Sequence, residues 1–132
     1  MSMGGHIVIK MLENWDIQNL FLFCPAIYST NAYCIEFGNG FTDLIREKES
    51  WRNSDVRDIL SKFSGNLMIV TASKDQVIPH EVISMIYDAA TATRSKQIIT
   101  IEGSGHALLT YLANNPDKAD DVIEQMINTI MH

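Results

Sequence analysis

The sequence predicts a single α/β domain with a small parallel sheet, and three observations lead to this prediction. The chain has 132 residues, which is an ordinary length for one domain. Hydrophobic residues make up 46% of the chain and charged residues 20%, as in proteins with a packed core. Three apolar runs of strand length alternate with amphipathic helical patterns. This alternation is typical of parallel strands covered by helices on both faces.

The first half of the chain contains a predicted strand between two predicted helices. Apolar residues at helical spacing predict a helix over Gly5–Glu13. Leu20–Cys24 is a continuous apolar run, which indicates a buried strand. The segment 28–52 contains the breaker Gly38-Asn39-Gly40 and is predicted to be a small cap-like excursion from the main fold. A helix with a candidate N-cap at Ser54 follows.

The second half of the chain contains two further predicted strands, Leu67–Ala72 and Gln97–Ile101. Pro79 can occupy the first position of the helix between them. A last helix is predicted to begin near Asn115-Pro116. Its apolar residues repeat every 3.6 positions: Ala119, Val122, Ile123, Met126, Ile127 and Ile130.

Charge and cysteine content exclude several classes of function. A net charge of −6 and a pI of about 5.0 argue against a nucleic-acid or anionic-membrane binder. No apolar run approaches the ~20 residues of a membrane span, and no signal peptide is visible. Two cysteines, Cys24 and Cys34, provide neither a disulfide framework nor a set of metal ligands. We therefore expect a cytoplasmic protein without a metal site.

Three segments contain residues suited to nucleophilic catalysis. Asp75 and His106 follow the second and third predicted strands, and loops at the carboxyl ends of parallel strands lie at one edge of the sheet. The segment Ser2-Met3-Gly4-Gly5 leads into a predicted helix, where backbone N–H groups and the helix dipole favour an oxyanion. In the chain order Ser, Asp, His, the imidazole takes the serine proton and the carboxylate fixes the tautomer of the imidazole.

These segments resemble the α/β-hydrolase fold, and within it serine esterases and prolyl-oligopeptidase-like hydrolases. Ser2-Met3-Gly4-Gly5 is similar to the second half of the nucleophile elbow, often Gly-x-Ser-Met-Gly-Gly. Leu67–Pro79 is similar to the strand and acid loop of the family, Gly103–Leu108 to the loop of the catalytic histidine, and 22–28 to the strand before the cap. The resemblance implies a hydrolase that acts on ester, thioester or amide bonds of a small molecule without a cofactor. Ser2 would be the nucleophile, Asp75 the acid, His106 the base and the Met3 N–H an oxyanion donor.

The resemblance covers only about the C-terminal half of such a fold. Only Met1 precedes Ser2, so the family's strand before the nucleophile and the loop with the other oxyanion donor have no counterpart. The resemblance therefore implies a truncated copy, an internal start or a fragment of a hydrolase, and we expect weak or absent activity. The competing hypothesis is a non-catalytic remnant that serves as an interaction or self-assembling module.

Two further expectations concern the cap and the sheet edge. Aromatic residues of the 28–52 segment form either ordinary packing or the wall of an apolar substrate pocket: Tyr28, Tyr33, Phe37, Phe41 and Trp51. The Leu20–Cys24 strand lacks one neighbour of the complete fold, so its open edge predicts a homodimer. We expect Cys24 in the core, Cys34 in the cap, and three histidines at the surface: His6, His80 and His132.

Overall fold

Three parallel strands form one sheet in the computed structural model, which describes residues 1–132. The strands are β1 (Asn19–Phe23), β2 (Asn66–Ala72) and β3 (Ser95–Ile101), in the spatial order β1-β2-β3. Leu20 of β1 pairs with Leu67 of β2. The predicted parallel α/β sheet is therefore confirmed, with strand bounds that differ by one or two residues from the sequence-based ones.

Six α-helices surround the sheet. They are α1 (Met3–Met11), α2 (Asn39–Arg46), α3 (Val56–Leu60), α4 (His80–Ala89), α5 (Leu108–Ala113) and α6 (Pro116–Met131). Pro79 is the residue before α4 rather than its first residue, because its ψ of 142° is not helical. The short helix α5 was not predicted from the sequence. It has only six residues, too few for a periodic pattern to stand out.

The hydrophobic core has two halves, one on each face of the sheet. Because side chains alternate along a strand, Leu67 and Ile69 of β2 face one half, and Met68 and Val70 face the other. Apolar residues of α1, α3 and α4 fill the first half, and those of α5 and α6 fill the second. All seven residues of β2 are buried, so β2 is the rigid centre from which the neighbouring loops extend.

The cap-like segment 28–52 packs beside α1 as a separate small unit. Besides α2 it contains two short 3₁₀ helices, Thr30–Cys34 and Ser50–Asn53. Its own apolar cluster consists of Ala26, Tyr28, Ala32 and Phe41. The Gly38-Asn39-Gly40 breaker marks the start of α2, where the chain turns into the helix. None of the helices in the molecule has both the length and the apolar composition required to cross a bilayer.

Candidate active site

Ser2 occupies a strained turn between the edge of the sheet and α1. Its φ of 49° lies in the left-handed region, which costs a non-glycine residue roughly 1–3 kcal/mol. The Ser2 N–H donates to the carbonyl oxygens of Phe23 and Cys24 at 3.2 and 3.1 Å, and Ser2 forms a parallel bridge with Pro25. Because α1 begins at the next residue, the chain turns sharply at Ser2 from the edge of the sheet into the helix.

Gly5 allows α1 to approach the chain that follows β1. A β-carbon at Gly5 would lie 2.7 Å from Cβ of Pro25 and 3.0 Å from its Cα. The Ser2 carbonyl accepts hydrogen bonds from the N–H groups of Gly5 and Ala26, both at 2.9 Å. Glycine at this position therefore lets the turn at Ser2 close against the end of the strand.

The imidazole of His106 lies between Ser2 and Asp75. Its Nε2 is 3.2 Å from Oγ of Ser2, and its Nδ1 is 3.0 Å from Oδ2 of Asp75. A carboxylate can only accept, so Nδ1 carries the proton and the lone pair of Nε2 faces the Ser2 hydroxyl. The structure thus brings together all three residues that the sequence analysis singled out, although Ser2 and His106 are 104 positions apart.

The carboxylate of Asp75 is held in place by hydrogen bonds on both oxygens. Oδ1 accepts the N–H groups of Val77 at 2.8 Å and Ile78 at 3.0 Å, while Oδ2 faces His106. Burial alone would raise the pKa of Asp75, but the hydrogen bonds from His106, Ile78 and Val77 lower that pKa below its usual value. Asp75 therefore stays ionised at neutral pH and accepts the hydrogen bond from the imidazole.

The loops after β2 and β3 are tied to each other, which fixes the acid relative to the imidazole. The Ser73 N–H donates to the Ile101 carbonyl at 3.2 Å, and the Lys74 N–H donates to the Ser104 carbonyl at 2.9 Å. The Gly103 N–H donates to Oγ of Ser73 at 2.9 Å. Gly103 has a φ of 80°, so the turn that presents the histidine needs glycine at this point.

The N-terminus of α1 supplies one candidate oxyanion donor beside Ser2. Met3 is the first residue of α1, so its N–H has no acceptor within the helix. The positive end of the helix dipole adds to the attraction for an anion. The Met3 N–H is therefore free to donate to an oxygen that becomes negative next to Oγ of Ser2.

A cavity of about 550 Å³ opens beside Ser2, between the end of β1, the cap and the start of α4. Its apolar wall consists of Ala26, Ile27, Tyr28, Ile45, Trp51, Val77, Ile78, Pro79 and Val82. Its charged residues come mostly from the segment after α2: Arg46, Glu47, Lys48, Glu49 and Glu81. The cavity is large enough for a small acyl or aryl group.

Only two of the five aromatic residues proposed as a pocket wall line this cavity. They are Tyr28 and Trp51. Phe41 packs edge-on against Tyr28 with ring centres 5.7 Å apart, inside the cap cluster. Phe37 is 78% exposed, and the hydroxyl of Tyr33 joins a polar network with His6 and Asp55. The cap folds on itself, so part of its aromatic surface serves packing rather than the cavity.

His6 is buried, so the prediction that it lies at the surface is wrong. It is 4% exposed because the cap packs over α1. Its Nδ1 accepts the Tyr28 N–H at 3.3 Å, and its Nε2 lies 2.9 Å from the hydroxyl of Tyr33, which donates to Asp55 at 2.7 Å. Loss of hydration lowers the pKa of His6 to about 4, so the ring is neutral. The other two histidines are exposed: His80 and His132.

Cys24 is a neighbour of the site that the sequence analysis did not detect. It is fully buried at the end of β1, as expected of a core residue, and its sulfur lies beside Asp75 and His106. Burial, together with the Asp75 carboxylate, raises the pKa of the Cys24 thiol to about 12, so the thiol is protonated. The neighbours of Cys24 in sequence gave no signal of this contact. Cys34 is exposed in the cap.

Solved structures with the same arrangement of elements are α/β-hydrolases. An α/β-hydrolase enzyme from the metagenome of Mar Chica lagoon sediments, MGS-MChE2, aligns with a TM-score of 0.66 and 17% identity over 99% of this chain. Est1E from Butyrivibrio proteoclasticus aligns with a TM-score of 0.59 and 15% identity over 97% of this chain. No protein-family model and no curated protein sequence matches the chain.

The sheet, its helices and the turn at Ser2 are therefore part of an α/β-hydrolase fold. The chain spans about 60% of the length of Est1E and of MGS-MChE2. At sequence identities of 15–17%, the structural similarity shows a shared fold and nothing further.

Proposed function

We propose that this chain contains the catalytic residues of a serine hydrolase that cleaves ester, thioester or amide bonds. The observation that carries the proposal is the continuous hydrogen-bonded chain from Oγ of Ser2 through His106 to Asp75, with distances of 3.2 and 3.0 Å. Three such groups in this order activate a hydroxyl that is a weak nucleophile by itself. The likeness to esterase structures supports the same class of chemistry.

In the proposed mechanism, Oγ of Ser2 attacks the carbonyl carbon of the substrate while Nε2 of His106 takes the hydroxyl proton. Asp75 stabilises the imidazolium that forms. The Met3 N–H donates to the carbonyl oxygen as it becomes negative. His106 then gives its proton to the leaving alcohol, thiol or amine, and an acyl-Ser2 ester remains. A water molecule, deprotonated by His106, hydrolyses that ester and regenerates the serine.

A fluorophosphonate probe, which forms a covalent bond with activated serines, tests the proposal directly. We expect the 132-residue chain to be labelled and Ser2→Ala to abolish the labelling. Ser50→Ala is the matched control, because Ser50 lines the same cavity but donates only to the Ile45 carbonyl. Labelling that survives in folded Ser2→Ala, or that is absent from the folded parent chain, contradicts the proposal.

We also propose that the 132-residue chain by itself turns over slowly. Among its backbone groups, the Met3 N–H is the donor we assign beside Ser2, and the loss of one oxyanion donor typically costs ~10²–10³ in rate. With a short-chain p-nitrophenyl ester, we expect a turnover number far below the ~10 s⁻¹ typical of enzymes. A value near that median would contradict this expectation.

A second candidate function is self-assembly through the open edge of β1. β1 pairs with β2 on one side only, and an open apolar edge favours pairing with another chain. α6 packs next to β1 and leaves three isoleucines on one face about half exposed: Ile123, Ile127 and Ile130. We propose a homodimer that covers this edge and face.

Light scattering tests the dimer. We expect a mass about twice 14.9 kDa at micromolar concentration, and a return to 14.9 kDa in Phe21→Lys, which adds a charge to the β1 edge. Ile98→Lys adds the same charge to the β3 edge and serves as the control. A mass of 14.9 kDa for the parent chain at all concentrations would contradict the proposal.

Both cysteines are unpaired, and Cys34 is exposed. Exposed thiols persist in reducing compartments, so we propose that the chain resides in the cytoplasm. Cell fractionation with an antibody against the chain checks this placement.

A further inference from the structure

Cys24 is the one nucleophilic side chain at the site that the proposed acyl transfer does not use. Its sulfur, one oxygen of Asp75 and one ring nitrogen of His106 all lie within 4.8 Å of one another. Cys24 is fully buried, and the Asp75 and His106 side chains are 4% and 24% exposed. The imidazole is therefore the member of this cluster most accessible to an ion from solvent.

The donor atoms of this cluster are those of zinc sites. Zn²⁺ prefers thiolate sulfur, imidazole nitrogen and carboxylate oxygen, whereas Mg²⁺ and Ca²⁺ require several oxygen ligands. Bonds of about 2.0–2.3 Å in a tetrahedral site hold the ligand atoms about 3.3–3.8 Å apart. The Asp75–His106 distance of 3.0 Å is already close to that value. A movement of the Cys24 sulfur by roughly 1 Å would bring all three ligand atoms within the spacing of a tetrahedral zinc site.

The supports of the three residues allow this adjustment without unfolding the site. The Cys24 N–H donates to the Val70 carbonyl at 2.9 Å, and the Asp75 carboxylate is held by two backbone N–H groups through its other oxygen. These backbone bonds do not hold Sγ or Oδ2, so rotation about side-chain bonds is the movement that would bring both atoms toward one ion. A tetrahedral ion with these three ligands keeps a fourth position for water.

We propose that Cys24, Asp75 and His106 form a Zn²⁺-binding site, and that zinc bound there blocks the serine. As the Zn–S bond forms, the thiol proton leaves to water. A neutral imidazole has one lone pair and one N–H; whichever nitrogen binds zinc, the lone pair is used and the other nitrogen keeps the proton. His106 then has no lone pair to accept the Ser2 proton. Zinc binding follows from the cluster alone, while inhibition rests on the proposed hydrolase function.

Cobalt is the probe for the site, because a Co²⁺–thiolate bond absorbs in the near ultraviolet and tetrahedral Co²⁺ has strong visible bands. We expect the folded 132-residue chain to bind one Co²⁺ with both signals, and one equivalent of Zn²⁺ to displace it. Cys24→Ala should lose the near-ultraviolet signal and bind Zn²⁺ more weakly by at least the ~10–100-fold that outer-shell changes cost. Cys34→Ala, which removes the exposed cysteine of the cap, should behave as the parent chain.

Inhibition is measured separately, as the rate of fluorophosphonate labelling with and without Zn²⁺. We expect zinc to protect the parent chain and Cys34→Ala, and to protect Cys24→Ala only at correspondingly higher zinc concentration. A cobalt spectrum without the thiolate band, or equal zinc affinity in folded Cys24→Ala, overturns the site. If the chain binds cobalt through Cys24 but is never labelled, the zinc site stands and the hydrolase proposal fails.

Discussion

The molecule contains two serine–histidine contacts of nearly equal length, and their surroundings differ. Oγ of Ser2 is 3.2 Å from His106 Nε2, and Oγ of Ser84 is 3.3 Å from His80 Nδ1. The second pair lies one turn apart on the exposed face of α4, and no carboxylate bonds to its imidazole. In the first pair, Asp75 holds the other ring nitrogen.

The two serines also differ in their backbone. Ser84 lies inside α4, where the helix uses the neighbouring N–H groups for its own hydrogen bonds. Ser2 lies in the left-handed region just before α1, where the Met3 N–H has no helical acceptor. A contact between a serine and a histidine therefore does not by itself mark a catalytic site. A carboxylate behind the histidine and free N–H groups beside the serine make the first pair a candidate catalytic site.

Replacement of the two histidines is the sharpest test of this difference. We expect His106→Ala to reduce the rate of fluorophosphonate labelling by up to ~10⁶, because the serine loses its base. His80→Ala should change that rate less than twofold. If both folded variants lost labelling to a similar extent, the two serine–histidine contacts would be equivalent, and the first pair would not be a distinct catalytic site.

The carboxylate behind His106 should have the next largest effect. Asp75→Asn keeps an oxygen that can accept the Val77 and Ile78 N–H groups, but it no longer selects the useful tautomer. We expect labelling to slow by about 10⁴. Asp55→Asn is the matched control, because Asp55 is also a hydrogen-bonded carboxylate with a lowered pKa but binds Lys10 and Tyr33 instead. Labelling of Asp55→Asn should stay near that of the parent chain.

Two adjacent glycines in the first turn of α1, Gly4 and Gly5, differ in the space around them. Gly5→Ala places a β-carbon 2.7 Å from Pro25, so we expect overpacking of about 1–3 kcal/mol in the free energy of unfolding. Gly4→Ala meets nothing within 4 Å and should stabilise α1 by about 0.5–1 kcal/mol. Urea unfolding measures the free energy of unfolding of each variant relative to the parent chain. Equal stabilities would mean that α1 is not anchored on Pro25.

The last expected effect concerns His6, a buried histidine with no serine beside it. Burial holds its pKa at about 4 in the folded state, against 6.5 for the free group, so the unfolded chain binds more protons between those values. Stability from His6 is therefore fully present above pH ~6.5 and is lost as the pH falls toward 4. We expect a decrease on the order of 1 kcal/mol from about pH 7.5 to pH 5.5.

This decrease should be smaller in His6→Asn, since asparagine does not titrate, and unchanged in His132→Asn, since His132 is exposed. An identical pH dependence in His6→Asn and in the parent chain would assign the loss to other groups.

Local sequence patterns predicted the parts of the fold that depend on near neighbours. The apolar run that became β2 stands out because that strand is buried on both faces, where apolar side chains dominate. β1 is half-buried and β3 is mostly half-buried or exposed, and they stand out by the apolar residues within them. The short helix α5 and the helix inside the cap did not stand out, since six and eight residues give too few turns for a clear stripe. The sequence identified the aromatic residues of the cap, but it did not indicate that only Tyr28 and Trp51 line the cavity.

By itself, the sequence predicted the fold class and singled out Ser2, Asp75 and His106 as candidates. Asp75 and His106 stood out because they follow strand patterns, and loops at the carboxyl ends of parallel strands lie at one edge of the sheet. Ser2 stood out because it lies ahead of a helical pattern and because Ser2-Met3-Gly4-Gly5 resembles a nucleophile elbow. Only the tertiary structure decided that the cap covers His6 and that Cys24 lies beside Asp75. Both outcomes depend on contacts between segments far apart in the chain, and the local spacing of residues holds no information on how such segments pack.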